Sequence, residues 1–517
     1  MGVDPARRVR SRPAAFGRRC PAAPGAGAHR RHPAVAAGTR SGKPAAGRRR
    51  PGGGGPPAAD DRGPRPQRTR PRHGPVHAGT GPDHPRGGGT GRVPTAGPGR
   101  LRDTRLDRTR AARGRRRTVV RAAGPVARGR AGRQLMARRN ASSPGPRPDV
   151  LVVGGGLIGL LIARELALAG ARVEVVDDRQ EGAASPNAAG MIAPIAESIA
   201  DQTFARISIR SRDFWRDLAP ELEHESGMSI DYDDSGSLLP VLDPAGGKVL
   251  DRIKARALDL GEAARDVDRA ELRDLVPDLR PGIDEALLLP GEHRVDNRLA
   301  TSAAAAALRH RNVVLHRATI ERVAEAPGQV VVSGDGFERT AGAVVVCGGA
   351  WTPRVQGLPA LPIVPVKGQM IAFDGIDWPF TGAIRTPAFY AVRRAGSRLL
   401  IGASVEHAGF DLSLSAEVGA DLAAGAAAVL PALRDREPVE HWAGLRPGTP
   451  DPWPIVGRLS ERLHVATGHF RNGILLAPLT ARMIAPLVLD QQPDDPWLTI
   501  PKVMLPYRFT AAERLSS

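Results

Sequence analysis

From residue 149 the chain is written in short apolar blocks separated by glycine and charge. Asp149-Val150-Leu151-Val152-Val153 is apolar at every position after the first, the pattern of a parallel strand covered on both faces. Gly154-Gly155-Gly156-Leu157-Ile158-Gly159 follows, then apolar positions at helical spacing over 157–169, with Gly170 as the stop. A second apolar strand over 172–176 closes on Asp177. Together they predict one β-α-β unit of about 30 residues. Further on, the pattern predicts helices over 200–226, 247–258, 269–275, 301–309, 415–430 and 473–489. It predicts strands over 236–242, 312–322, 329–334, 342–347, 362–373, 388–393, 398–402 and 463–466. Ala395-Gly396-Ser397 joins two of them as a hairpin. No internal repeat is present. Strands alternate with helices at both ends and an antiparallel block lies between. The expected fold class is therefore α/β (α+β overall): a Rossmann-type dinucleotide-binding domain assembled from discontinuous segments, with an inserted antiparallel β-rich substrate domain. The segments expected for the first are 148–228, 293–360 and 438–500, and for the second 229–292 and 361–437, with 501–517 as a tail.

Charge changes this picture at the N-terminus. The chain has 517 residues and a formal charge of +20, but residues 1–135 hold 33 Lys and Arg against 6 Asp and no Glu, leaving about −7 for the rest. Phe16 is the sole aromatic of that stretch, and Leu, Ile and Val are scarce. So little apolar area cannot offset the entropy of ordering, and 1–147 is expected to be a disordered Arg/Gly/Pro-rich extension. Its readings are translated upstream sequence with the start at Met136, a basic tail for nucleic acid or anionic surfaces, or a targeting segment. Nucleic acid is not the expected partner of the region from residue 148 on. Cys20 and Cys347 lie far apart, so no disulfide framework or metal site is implied. The most apolar stretch, 474–489, is broken by Pro478, Arg482 and Pro486, so no membrane span is expected and the cytoplasm is the default compartment.

The chemistry begins at the glycine loop. Gly154 permits the tight turn, Gly156 lets backbone approach a pyrophosphate, and Gly159 allows close helix–strand packing; Asp177 stands where ribose hydroxyls are held. The loop opens the folded region, and a later strand ends in Cys347-Gly348-Gly349, which points to FAD rather than a nicotinamide. Cys347 reads as a small buried hydrophobe. Ala184-Ser185-Pro186-Asn187-Ala188-Ala189-Gly190-Met191 is a small-residue loop that a flat ring could approach. Arg446 stands in a Gly/Pro-rigid loop and Arg471 directly before a helix, each suited either to an anionic group or to an ordinary surface salt bridge. His293, His407 and His464 read as ordinary polar or loop histidines.

The region 149–489 resembles the D-amino-acid oxidase superfamily of flavoproteins, and most closely the glycine oxidases of thiamine biosynthesis. The residues that carry the likeness are Val152 to Gly159, Ala188-Ala189-Gly190-Met191, Pro365-Val366-Lys367-Gly368, Trp442 to Thr449 and Gly468 to Pro478. The resemblance implies non-covalent FAD, a small amino-acid substrate, oxygen as acceptor and a homo-oligomer, specifically a homotetramer. It implies that Arg446 clamps the substrate carboxylate, Tyr390 hydrogen-bonds it, Arg471 lies at the mouth or by the flavin, and Val405 walls the pocket. Around the FAD it places Leu157, Ile158, Asp177, Ala184, Ser185, Ala189, Gly190, Met191 and Val323. Gly348, His469, Phe470, Arg471, Asn472, Gly473, Ile474 and Leu475 complete that set. It calls for no catalytic base, since hydride passes from Cα to the flavin. The implied reaction is oxidation of glycine, and of other small amines or D-amino acids, to the imine and glyoxylate with release of hydrogen peroxide. A sarcosine or D-amino-acid oxidase or dehydrogenase stays open as an alternative, as does a nucleic-acid-binding role of the basic extension. Asp177 stands where the family commonly has Glu, and Arg393 where Pro is expected.

Overall fold

The structure, a computed structural model, describes residues 146–197 and 201–510. The expected disordered extension thus lies outside the described residues apart from Pro146 and Arg147, as does residue 200 at the start of one expected helix.

Six strands form one sheet in the order Ile455–Arg458, Leu463–Thr467, Ala343–Val346, Val150–Val153, Val173–Val176, Val314–His316. All neighbours are parallel except the first pair. The strands come from three separated stretches of chain, so the discontinuous dinucleotide-binding fold is present. Strand periodicity divides the residues between two layers. Val150 and Val152 pack with the helices Leu157–Leu168, Gln202–Ser226, Asn297–His310 and Gly473–Val488. Leu151 and Val153 face the antiparallel meander Arg322–Ala326, Gln329–Gly334, Phe337–Ala341.

The Gly473–Val488 helix explains the apolar run that carries two prolines. Twelve of its 16 residues are buried. Pro478 has no N–H to give the carbonyl of Ile474, four residues back. Trp215 Nε1 donates to that carbonyl instead, at 2.9 Å, and the Ser211 hydroxyl donates to Leu475 O at 2.7 Å. The long helix Gln202–Ser226, capped by Asp201 and ended by Gly227 at φ +69°, thereby holds the start of the last helix in place. Among the described residues no helix is long and apolar enough to cross a membrane.

The second sheet has eight strands in the order Glu440–Gly448, Val364–Phe373, Arg398–Gly402, Tyr390–Arg394, Ala383–Arg385, Ser237–Pro240, Ala286–Leu289, Arg265–Val267. It is antiparallel save for the pairing of Ala383–Arg385 with Ser237–Pro240. Its core is shared with the helices Arg269–Leu275 and Ala416–Val429. The hairpin turn is where it was expected, with Gly396 at φ +73° and Ser397 at φ +61°.

Two expectations are corrected. The strand expected over 312–322 is only Val314–His316; the chain then leaves the six-stranded sheet and re-forms a strand in the meander at Arg322. The stretch around Arg446, read as a loop from its Gly and Pro content, is a nine-residue strand, Glu440–Gly448. Pro447 sits opposite Pro365 in that ladder. The missing donor is tolerated because Glu440–Gly448 is the edge of its sheet.

Candidate functional site

A cavity lies between the C-terminal ends of the parallel strands and the edge of the eight-stranded sheet. Its first wall is backbone. Gly154 has φ +112°, and a Cβ there would collide with the Cys347 carbonyl; at Gly159 it would collide with the Gly154 carbonyl. The helix that starts at Leu157 has no acidic residue in its first turn and no cap from its own N-cap residue. Ser185 Oγ accepts the Leu157 N–H instead, at 2.9 Å. This end keeps its positive potential toward the cavity. Asp177 lines the cavity at the end of the second strand and accepts the Arg179 N–H at 3.1 Å. Burial pushes its carboxyl up, and the Gly155 N–H opposes that shift. Gly348 forms the opposite turn, flanked by Cys347, whose thiol burial pushes well above its ordinary range.

Ala184, Ser185, Ala189, Gly190 and Met191 all line the cavity. Gly190 has φ +72°, and a Cβ would meet the Val295 carbonyl. A residue that sequence reasoning missed supports this loop. Arg394, 4 % exposed, donates to Ala189 O and to Asn297 Oδ1 at 3.2 Å, while Asn297 Nδ2 holds Ser185 O at 2.8 Å. Burial lowers the Arg394 guanidinium to about 10. The signal was the Arg393-Arg394 pair on a strand: alternation sends Arg393 out to Asp377 and Arg394 inward.

The last segment brings the start of a second helix to the cavity. Gly468 at φ +75° and Phe470 at φ +47° turn the chain so that His469, Phe470, Arg471, Gly473 and Ile474 line it. The helix from Gly473 has no acidic first turn and no side-chain cap. His469 Nε2 meets Thr480 Oγ1 at 3.0 Å, and burial lowers its pKa to about 3, so it is neutral.

The facing wall is built from side chains. The Arg446 guanidinium lies over Gly368, where a Cβ would collide with it. Nη1 donates to Ser404 O at 3.1 Å and Lys367 O at 3.4 Å. Among the described residues it pairs with no carboxylate. Tyr390 lies beside it with its hydroxyl 3.7 Å from Met370 Sδ. Burial raises the phenol pKa, and the charges of Arg446 and Arg471 oppose the rise. Arg471 is ion-paired to Glu197, Nε to Oε2 at 3.1 Å. Glu197 was not foreseen, because nothing local marks it.

Several expected residues lie elsewhere. Val323 is buried in the meander, paired with Val332; Thr319 and Ile320, on the irregular crossing before it, line the cavity instead. Val405 is 53 % exposed and lies outside the cavity, and Met370 stands in the wall. Leu157 and Leu475 turn their side chains into the helical core, although the Leu157 backbone N–H stays beside Ser185 of the cavity wall, and Asn472 precedes the last helix without lining the cavity. His293, His407 and His464 are not in the cavity wall either.

Two glycine turns that exclude a Cβ, two helix N-termini without an acidic first turn, an acidic residue at a strand end and a neutral buried His469 fit a dinucleotide carrying a flat ring. The Arg446–Tyr390 pair fits a small carboxylic acid.

Comparison with known proteins agrees. The family described as FAD dependent oxidoreductase (DAO) matches residues 149–487. A glycine oxidase of Pseudomonas aeruginosa is 35% identical over 354 residues, covering 66% of this chain and 95% of that protein. A bifunctional ThiO/ThiG protein of Nostoc is 33% identical, and the match spans 67% of this chain but 53% of that longer protein. The crystal structure of glycine oxidase from Geobacillus kaustophilus superposes with a TM-score of 0.63 at 31% identity, over 67% of this chain and 96% of that one. The chain belongs to the DAO family of FAD-dependent oxidoreductases.

Proposed function

We propose that the chain oxidises glycine, in service of thiazole formation in thiamine biosynthesis. Glycine, oxygen and water give glyoxylate, ammonia and hydrogen peroxide, by way of the imine. The observation that carries this reading is the Arg446 guanidinium: in the cavity, beside the Tyr390 hydroxyl, and without a carboxylate among the described residues. A partly buried cation in that state is a site for an incoming carboxylate, which its planar fork can hold by two bonds. The relatives named glycine oxidase support the same reading.

The pyrophosphate would rest on the N–H groups at Gly156 and Leu157, with Asp177 toward the ribose and the Ala189–Met191 and Gly473 backbone against the ring. FAD, when bound, supplies the two-electron acceptor that takes hydride from Cα and returns the electrons to oxygen. The chain supplies orientation and charge. Arg446 and Tyr390 fix the carboxylate and so the direction of Cα. The Arg446 guanidinium, which no carboxylate of the described residues compensates, disfavours a nearby ammonium, so the substrate amine reacts neutral. No side chain is needed as a strong base. A cytoplasmic homotetramer is part of this proposal.

Peroxide release from glycine, sarcosine and D-alanine by the FAD-loaded full chain tests it. Glycine should have the highest kcat/KM. Turnover of sarcosine or D-alanine with none of glycine would replace this reading by the sarcosine or D-amino-acid one.

A further inference from the structure

Beside the Arg446 site lies a second charge cluster that the proposed reaction does not use. Glu197 lines the cavity and holds Arg471, with Nε to Oε2 at 3.1 Å and Nη2 to Oε1 at 3.2 Å. Arg385 pairs with the same carboxylate from behind. Its Nη1 is 3.4 Å from the sulfur of Met191, a cavity residue. Deeper still is Glu292, fully buried. Its Oε1 accepts the N–H groups of Ile195 at 3.2 Å and Ala196 at 2.7 Å, the residues that lead into Glu197. Its Oε2 has no hydrogen-bond partner among the described residues.

The order from the cavity inward is Arg471, Glu197, Arg385, Glu292. Burial resists ionisation of Glu197, but the charges of Arg385 and Arg471 outweigh it and hold its pKa below the usual range. Glu292 sits deeper and burial pushes its carboxyl up. Two guanidiniums therefore share one firmly ionised carboxylate. The Arg471 side chain is 39% exposed against 12% for Glu197, so the cation is the more accessible partner.

We infer that Glu197 is a specificity-determining residue: an internal carboxylate that fills a second anion site made by Arg471 and Arg385. The inference rests on the reading of Arg446 as the substrate-carboxylate site. An amino acid with one carboxylate is held at Arg446 and meets no penalty at Glu197. A second carboxylate on the ligand finds Arg471 already paired and the largely buried Glu197 charge repelling it. The cavity thus rejects dicarboxylic amines by charge, with no steric block required. A purely structural strut would instead weaken all ligands alike when removed.

The FAD-loaded full chain is titrated with acetate, malonate, succinate and glutarate, with the flavin absorbance as readout, and its kcat and KM are measured for glycine and iminodiacetate. Wild type should favour acetate over each diacid. Glu197→Gln should tighten the best diacid relative to acetate by about tenfold or more, the equivalent of about 1.4 kcal/mol, and lower KM for iminodiacetate. Glu197→Asp, which draws the charge back from Arg471, should shift preference the same way by less. The gain should vanish in Glu197→Gln/Arg471→Gln. Arg471→Gln alone should keep or deepen the preference for acetate, since the Glu197 charge then faces the cavity less compensated, which keeps the test decisive if the Glu197 variants do not fold. The inference is overturned by an unchanged preference in Glu197→Gln, by a gain that survives loss of Arg471, or by tighter diacid binding relative to acetate in Arg471→Gln alone. Acetate that fails to perturb the flavin of the wild type, or does so independently of Arg446, would instead sink the carboxylate site itself.

Discussion

The two walls of the cavity are made by opposite means. On the side of the six-stranded sheet the contacts are backbone: Gly154, Gly156 and Gly190, and the N–H groups that open two helices. On the side of the eight-stranded sheet they are side chains, Arg446 and Tyr390, joined by Glu197 and Arg471 from the other half. A backbone wall suits a large ligand that never leaves, since its hydrogen bonds come prepaid with the fold. A side-chain wall suits a small ligand that must be told from near relatives, because one charge moved or removed changes the choice.

Breaking the backbone wall should have the largest effect. Gly154→Val forces a side chain to φ +112° and into the Cys347 carbonyl, so the purified chain should come out without FAD or fail to fold. Full flavin absorbance at equal protein would show that the turn is not the cradle.

The next effect is on acid stability and belongs to the same half. His464 is buried in a strand of the six-stranded sheet, His469 in the loop after it, and His293 in a short strand paired with Met191–Ile192. Burial lowers them to about 4, about 3 and about 3. Each folded-state value lies below the unfolded value of about 6.5. Their stabilising contribution is complete above pH 6.5 and is lost as pH falls, because the unfolded chain takes up the protons first. Three such groups give a slope of up to about 4 kcal/mol per pH unit between about pH 6 and pH 4. Denaturant unfolding across that range checks it, and His464→Gln should flatten the slope by about a third.

Arg446→Ala strikes the side-chain wall. It should keep FAD and lose about 2–3 kcal/mol of transition-state binding for glycine, roughly 30- to 150-fold in kcat/KM. Loss of FAD in this variant would mean that the two walls are not separable. Ser185→Ala should be the mildest change. The Leu157 N–H loses its acceptor, a cost of about 1 kcal/mol visible in thermal unfolding of the FAD-free chain. A smaller cost once FAD is bound would place a ligand acceptor at the same N–H.

The backbone wall was readable because its parts are local. The offsets of Gly154, Gly156 and Gly159, the strand end at Asp177 and the small residues of 184–191 each carry their meaning within a few positions. Reading failed where regular structure stops. Val323 lies in the strand just after an irregular crossing whose cavity residues are Thr319 and Ile320, and no periodicity in the crossing marks which residues face in. Val405 lies in a segment without helix or strand, where no periodicity marks an inward face. Arg446 lines the cavity from a strand and not from a loop, since the Gly and Pro that suggest a loop are also tolerated on an edge strand.

By itself the sequence determined the β-α-β unit, the glycine turns and the arginine that directly precedes the last helix, Arg471. Each depends on steric rules that act over a few bonds, such as the φ a glycine allows or the donor a proline lacks. Folding alone decided that Glu197 meets Arg385, 188 residues away, and Arg471, 274 residues away. It also decided that Arg394 props the loop at Ala189, 205 residues before it. Charge pairing follows distance through space, and a chain that builds one sheet from three stretches leaves no trace of that distance in its order.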